Sequence, residues 1–596
     1  MIDTMATVTV GFGIWDYVIV GVVLLISASI GIYYRFTGGK QKTVQEYLLA
    51  DKNMSIIPVA FSLMASFMSA ITILGVSSEN YTYGFQFVII NVSHLIFTPV
   101  AVYLYLPVFF KLQTTSAYQY LELRFGKTSR LAASLCYTLQ MILYMGVVVY
   151  APALALEALI GINRVSAVLS MGTVCAFYST IGGMKAVLIT DVFQSLLMFL
   201  GVFSVIGAAL YQYGSFGEIW RIASEGNRTD IWNFDPDPTV RHSWFTLILG
   251  GGVTYLSLYG VNQTQIQRYL TVKDLKSAQK ALWLNWPILF CLGLATSFSG
   301  LAIYSKYAQC DPVRAGYINN TDQLMPYFVV DTMGHVPGLA GLFVAGIFSA
   351  SLSTISAALN SLAAVTMEDY YKPFYRYLVG HALSPNKAAI QTKLLALFYG
   401  VICVAVAFLV QHLGGILSAS LTIFGVVGGP LLGIFTLGMF TLTANEKGSI
   451  VGLLSGLSLG LWMGFGPKPP PQRLPTSIEG CEQVLYNSTL LVSKSNQIND
   501  TDYMWLYRVS YLYNGLFGFL VTFLIGYAVS YIFRKISGRS VDEEDYDPKL
   551  FVSYLSRTLK SRKLGNKTFM LVKRAESCDK INENCRIEKY SRVEIN

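Results

Sequence analysis

Thirteen apolar stretches run through this chain, each close to the length that crosses a lipid bilayer. They fall at about 14–34, 55–77, 86–110, 131–156, 164–182, 187–211, 244–262, 281–304, 338–362, 389–411, 415–441, 448–465 and 509–533. At a rise of ~1.5 Å per residue, ~20 helical residues cover a hydrocarbon layer of ~30 Å. Inside that layer every backbone N–H and C=O must find a partner without water, which a helix achieves by itself. The expected class is an all-α polytopic membrane protein with about thirteen spanning helices. Composition closes the alternatives. Only 13% of the 596 residues are charged, about half the share in soluble chains, and an aromatic content of 14% excludes a disordered one. The first apolar run is followed by Arg35 and Lys40 and by no small-residue cleavage site, so it reads as a span, not a removed leader.

Lysine and arginine in short loops set the orientation. Arg35, Lys40, Lys42 and Lys52 follow the first span; Lys111, Arg124, Lys127 and Arg130 follow the third; Arg268, Lys273, Lys276 and Lys280 follow the seventh. These alternate loops belong on the cytosolic side. Residues 1–13 then form an extracellular N-terminus, 14–533 the membrane domain, and 534–596 a basic cytosolic tail. The glycosylation sequons at Asn227, Asn319, Asn487 and Asn499 fall in outside loops, which agrees; matches at Asn53, Asn262 and Asn566 fall inside. Cys310 and Cys481 are the only two cysteines expected outside, where an oxidising medium permits them to pair. The plasma membrane is the default location.

Polar residues inside a span cost free energy unless they meet a partner or a cavity. The densest such cluster is Ser349-Ala350-Ser351-Leu352-Ser353-Thr354-Ile355-Ser356. Ser349, Ser353, Ser356 and Asn360 recur at helical spacing, which puts them on one face, read here as lining a cavity. Span two is interrupted by Ser62, Ser66, Ser69, Thr72 and Gly75, and span seven by Gly250-Gly251-Gly252 and Gly260. Two weakened helices five spans apart are what inverted-repeat transporters use at their binding sites. Carboxylates are scarce at mid-depth: Asp16, Glu79, Glu157 and Asp191 sit near span ends. Hydroxyls and freed carbonyls are hard neutral oxygens, suited to an alkali cation rather than to a proton relay. No enzyme motif competes, and His94, the one histidine well inside a span, reads as a packing residue.

These residues resemble the sodium/solute symporter family over about 14–535, in the branch of the multivitamin, monocarboxylate and iodide transporters. The resemblance is carried by Ser66-Phe67-Met68-Ser69-Ala70, Tyr120-Leu121-Glu122-Leu123-Arg124-Phe125, Tyr150-Ala151-Pro152-Ala153-Leu154 and Gly182-Gly183-Met184-Lys185 with Thr190-Asp191. It is carried further by Tyr259-Gly260-Val261-Asn262-Gln263, Gln267-Arg268-Tyr269, the serine run at 351–356 and Thr366-Met367-Glu368-Asp369. It implies a LeuT-like fold of two inverted five-helix repeats. It also implies a sodium site from the carbonyls of Ala65, Met68 and Ala350 with the hydroxyls of Ser353 and Thr354. A second sodium set would map to Ser69, Thr72 and Tyr144. Phe67, Thr72, Tyr144, Tyr255, Tyr259 and Ser420 are the expected substrate-lining residues. Na+ is the co-transported ion and no organic cofactor is implied. The expected substrate is an organic monocarboxylate, either a vitamin acid such as biotin or pantothenate or a short-chain acid. Where the iodide branch carries Gln this chain has Thr72, which weighs against iodide. An inorganic-anion symporter and a non-transporting sensor on the same fold are the rivals, and the protein is not expected to be an enzyme.

Overall fold

The computed structural model describes residues 12–36, 48–410, 415–481, 503–538 and 546–561, and these are helical with no strand among them. Asn487, Asn499 and most of the tail lie outside the described residues. The apolar stretches fold as α1 (Ile14–Phe36), the bent pair α2 (Ile56–Ala65) and α3 (Ala70–Tyr83), and α4 (Phe85–Leu112). Then follow α5 (Lys127–Ile160), α6 (Arg164–Tyr213), α7 (Thr246–Tyr259) and α8 (Gln263–Tyr269). The second half continues with α9 (Leu275–Tyr307), α10 (Leu324–Met333), α11 (Leu339–Val365) and α12 (Pro385–Val410). It closes with α13 (Ile416–Phe440), α14 (Glu446–Phe465) and α15 (Tyr513–Ser537).

Among the described residues, ten helices are long and apolar enough to cross a membrane, or eleven when α2 and α3 count as one bent span. The two remaining sequence stretches are helical in other ways. Stretch 244–262 is the shorter apolar helix α7. Stretch 164–182 is the first limb of α6, which breaks at Gly183 (φ 66°, ψ 171°). A positive φ with extended ψ is strained for any residue with a Cβ, so glycine is required at that joint.

Two helices are interrupted at matching places in the two halves. Residues 66–69 separate α2 from α3, with a bend of 58°. Residues 260–262 separate α7 from α8. Each new helix starts on a polar cap: the Ser69 hydroxyl accepts the Ile71 N–H at 3.2 Å, and the Asn262 amide oxygen accepts the Thr264 N–H at 2.9 Å. The Gly250-Gly251-Gly252 run, expected to mark the interruption of span seven, stays helical. It serves close approach instead, since a Cβ on Gly252 would meet the Phe97 ring at 2.1 Å.

Between helices in lipid there is no water to drive association, so close van der Waals contact through small residues does much of the work. The pair α14 and α15 shows this. Gly448, Gly452 and Gly456 lie against Gly518, Thr522 and Gly526, and a Cβ on Gly452 would sit 2.5 Å from the Thr522 carbonyl oxygen. The start of the tail docks at the face where Arg124 lies. The Val552 N–H donates to the Met439 carbonyl at 3.2 Å, and Arg124 stacks over the rings of Tyr546 and Phe551. We expect Gly452→Leu to force α14 off α15 and cost about 1–3 kcal/mol. A lowered melting temperature of the detergent-solubilised protein is the readout; unchanged melting would refute the packing account.

Candidate functional site

The site is built from the carbonyls that the first break sets free. In a continuous helix the Ser69 N–H would bond the Ala65 carbonyl; here it bonds Phe67 at 3.0 Å. The Phe67 N–H likewise bonds Met64 at 3.2 Å, which releases the Leu63 carbonyl. Buried carbonyls without partners are expensive, so other helices supply donors. The Ala65 oxygen accepts the hydroxyls of Ser353 at 2.9 Å and Thr354 at 3.2 Å, both from α11. The same two hydroxyls also lie 3.1 Å from the Ala350 carbonyl. The Leu63 oxygen takes the Gln265 amide at 2.9 Å and the Tyr259 hydroxyl at 3.4 Å. The Phe67 oxygen faces the Tyr144 hydroxyl at 3.5 Å.

Four of the five residues expected around sodium, Ala65, Ala350, Ser353 and Thr354, therefore share one hydrogen-bonded cluster between α2 and α11. Met68 lies in the adjoining break. The hydroxyl face of α11, read from its spacing as a cavity wall, contributes no residue to the aromatic cavity beside the break. It is buried against neighbouring helices, with Ser351 donating to the Val148 carbonyl at 3.3 Å and Ser356 to that of Ser353 at 3.0 Å.

Beside the cluster lies a cavity of about 130 Å³. All six residues expected to line a substrate, Phe67, Thr72, Tyr144, Tyr255, Tyr259 and Ser420, are in its wall. So are Met68 and Ser69, which brings the second sodium set, Ser69, Thr72 and Tyr144, into the same space. The wall is aromatic: Tyr255 stacks on Tyr259 with ring centroids 4.6 Å apart, and Phe424 meets Tyr144 at 4.5 Å and Phe67 at 5.8 Å. The Thr98 and Tyr255 hydroxyls bond at 2.8 Å. No lysine or arginine is in this wall.

Sequence reading passed over three wall residues. His94 stacks on Tyr255 at 5.1 Å, as a packing residue would, and its Nδ1 is buried without a partner among the described residues. Ser297 also lines the cavity, with a hydroxyl that has no partner among the described residues. Phe424 starts the π-turn Phe424–Gly428 inside α13, a distortion common at functional sites. The signal for His94 was its rarity inside a span; Ser297 and Phe424 had none.

A second network ties the two breaks together. Arg268 on α8 was expected in a cytosolic loop, yet it is fully buried. It donates to the Ser62 hydroxyl at 2.8 Å and lies 3.5 Å from the Asp191 carboxylate on α6; Ser62 also donates to Asp191. At the other face, Asp322 sits just ahead of α10 and accepts the Ile416 N–H at 3.0 Å, capping the first turn of α13. Burial raises its carboxyl to about 6. Cys310 and Cys481 are joined by a disulfide, and Asn227 and Asn319 are exposed.

A helix bundle with two interrupted helices, a buried oxygen cluster at one break and an aromatic cavity beside it defines a coupled membrane transporter. The sodium:solute symporter family matches residues 47–456, and the chain belongs to that family. It is similar to the "Putative sodium-dependent multivitamin transporter" of Drosophila melanogaster, at 56% identity over 88% of this chain and 87% of that protein. It is 43% identical to the sodium-coupled monocarboxylate transporter 1 of Homo sapiens, over 91% and 90% of the two chains. A solved sodium-coupled sialic acid symporter, substrate-bound and outward-open, superimposes with a TM-score of 0.72 at 25% identity, covering 87% of this chain and 98% of that one. The protein is a multi-pass sodium-coupled solute symporter with a LeuT-like fold.

Removing one partner of a buried ion pair leaves the other charge uncompensated, at a cost of about 3–5 kcal/mol. Asp191→Ala should therefore lower the melting temperature markedly, and the double variant Asp191→Asn with Arg268→Gln should recover most of the loss. Equal melting of the single variant and the wild type would refute the pairing.

Proposed function

We propose that this symporter carries an organic monocarboxylate inward across the plasma membrane together with sodium. The observation that carries the reading is the aromatic cavity of about 130 Å³, free of lysine and arginine, set against the Ala65–Ser353–Thr354 cluster. Aromatic walls suit an aliphatic body. With no lysine or arginine in the wall, the carboxylate charge is met by bound Na+, by hydroxyls and by the N-terminus of α3 at Ser69–Ala70.

Sodium enters first, from outside. The hydroxyl hydrogens of Ser353 and Thr354 turn away, and their lone pairs join the carbonyls of Ala65, Met68 and Ala350 around the ion. This fixes the α2 break against α11 and gives the cavity its shape for the acid. Two sodium ions per acid, the second at Ser69, Thr72 and Tyr144, would move one net positive charge per cycle and add ~2.3 kcal/mol of driving force per 100 mV.

The cavity is below the ~300 Å³ usual for drug-sized ligands, which favours a short-chain acid; a vitamin acid such as biotin or pantothenate requires it to widen. The multivitamin name of the relative at 56% identity supports keeping the vitamin acids in the test. Orientation follows the sequence reading. Asn227 and Asn320 line an open vestibule, whereas Arg124 and the docked tail lie at the other face, which supports an outside vestibule and an inside C-terminus.

Two outcomes are expected. Cells expressing the chain should show inward current that needs both Na+ and one monocarboxylate from a panel of lactate, butyrate, nicotinate, biotin, pantothenate and lipoate. Current with iodide alone would favour the inorganic-anion reading, and saturable binding without uptake would favour a sensor. Separately, Ser353→Ala with Thr354→Ala should weaken apparent Na+ affinity at least ~10-fold by removing two of five oxygens, whereas Thr354→Ser should stay near wild type. Unchanged Na+ dependence in the double variant would overturn the ion-site assignment.

A further inference from the structure

Above the cavity the chain opens into a vestibule of about 1050 Å³. Leu417 on α13 lines both spaces, and on α3 Gly75 faces the vestibule while Val76 faces the cavity. A Cβ on Gly75 would lie 2.7 Å from that of Leu417, so the two helices touch there with no side chain between them. A solute moving from vestibule to cavity passes this contact.

Both signs of charge line the vestibule, Glu79, Asp230 and Asp322 against Arg241, Lys468, Arg473 and Arg508. Glu79 of α3 is held by Arg241 at 2.6 Å and by His242 at 3.1 Å. Arg241 also stacks over the rings of Tyr83 and Tyr511, at 4.1 and 4.8 Å, which fixes its position. Lys468 lines the same space from the strap that leaves α14 and ends at the Cys310–Cys481 disulfide. It is half-buried and makes no hydrogen bond or ion pair among the described residues. Burial, together with the like charge of Arg241, pulls it down to about 8. Of the carboxylates in that wall, Glu79 is committed to Arg241 and His242, Asp322 accepts the Ile416 N–H, and Asp230 accepts the Trp232 N–H. An ammonium partly out of water, facing a guanidinium and lacking a carboxylate, is costly until an anion reaches it. The strap also brings Pro469, Pro470, Pro471 and Leu474 to the wall, apolar surface for a short hydrocarbon body.

We propose that Lys468 and Arg241 form an outer anion site that holds the carboxylate of the incoming acid before it passes Leu417. The inference rests on the monocarboxylate reading above. The site raises the local concentration of the acid at the mouth of the cavity and takes no part in sodium coupling.

The test is uptake of the best-transported acid by the full-length chain, with surface expression measured in parallel. Lys468→Gln should raise KM about 5-fold with maximal rate and Na+ dependence unchanged, and Lys468→Arg should hold KM within about 2-fold of wild type. Unchanged KM in Lys468→Gln, with wild-type uptake intact, overturns the outer site alone. Loss of maximal rate in both variants at normal surface levels also overturns it, because a structural role then explains Lys468. Absence of carboxylate uptake by the wild type overturns the substrate reading and the outer site together.

Discussion

The carbonyl of Ala65 has no helical donor, because the Ser69 N–H that would serve it turns back to Phe67. Water cannot relieve that oxygen inside a bilayer. Two hydroxyls of α11 do so, and the contact joins helices from opposite halves of the chain. The same break hands the Leu63 carbonyl to α7 and α8 and the Phe67 carbonyl to α5. One local failure of helix geometry is thus held by four other helices. Under the proposed ion site, a cation would take the place of the hydroxyl hydrogens at the Ala65 oxygen, and ion binding would then bear directly on the position of α2 against α11.

Rigidity around the break comes from a different chemistry. Arg268, Ser62 and Asp191 form a fully buried, charged triad. Replacement by apolar groups of the same shape is often no less stable, so such a group is better understood as fixing register than as adding stability. It ties α8, the limb after the second break, to α2, the limb before the first. One buried network thus links the two interruptions, at the places where inverted-repeat transporters carry their binding sites.

Much of this was legible in the sequence, for physical reasons that can be stated. Apolar length revealed the helices because lipid leaves the backbone no other form. Runs of small and hydroxyl residues flagged the α2 break and the α11 face, and resemblance then selected residues that the fold gathers at one cluster and one cavity. The failures are equally specific. Arg268 looked like a loop charge because its burial depends on Asp191, which lies 77 residues earlier in the chain. Gly250-Gly251-Gly252 looked like an interruption because a glycine that admits Phe97 and a glycine that ends a helix read alike in sequence. The α11 serines suggested a cavity because helical spacing places residues on a face without saying what covers it. Ser297 and Phe424 carried no signal at all, since a lone serine and a lone phenylalanine are ordinary in any span.

The vestibule and the cavity divide the work of recognition by dielectric. The cavity wall holds no lysine or arginine, so an acid bound there as proposed would depend on the co-transported ion for its charge balance, and that dependence would itself be the coupling. A lysine at that depth would bind the acid without sodium and release it slowly, which would uncouple the two. Arg241 and Lys468 lie outward, on the vestibule side of Leu417, where under the proposal they would attract an anion without removing the requirement for sodium further in. Gly75 against Leu417 is the narrow step between those two regimes, and its closeness allows no side chain on α3 larger than hydrogen.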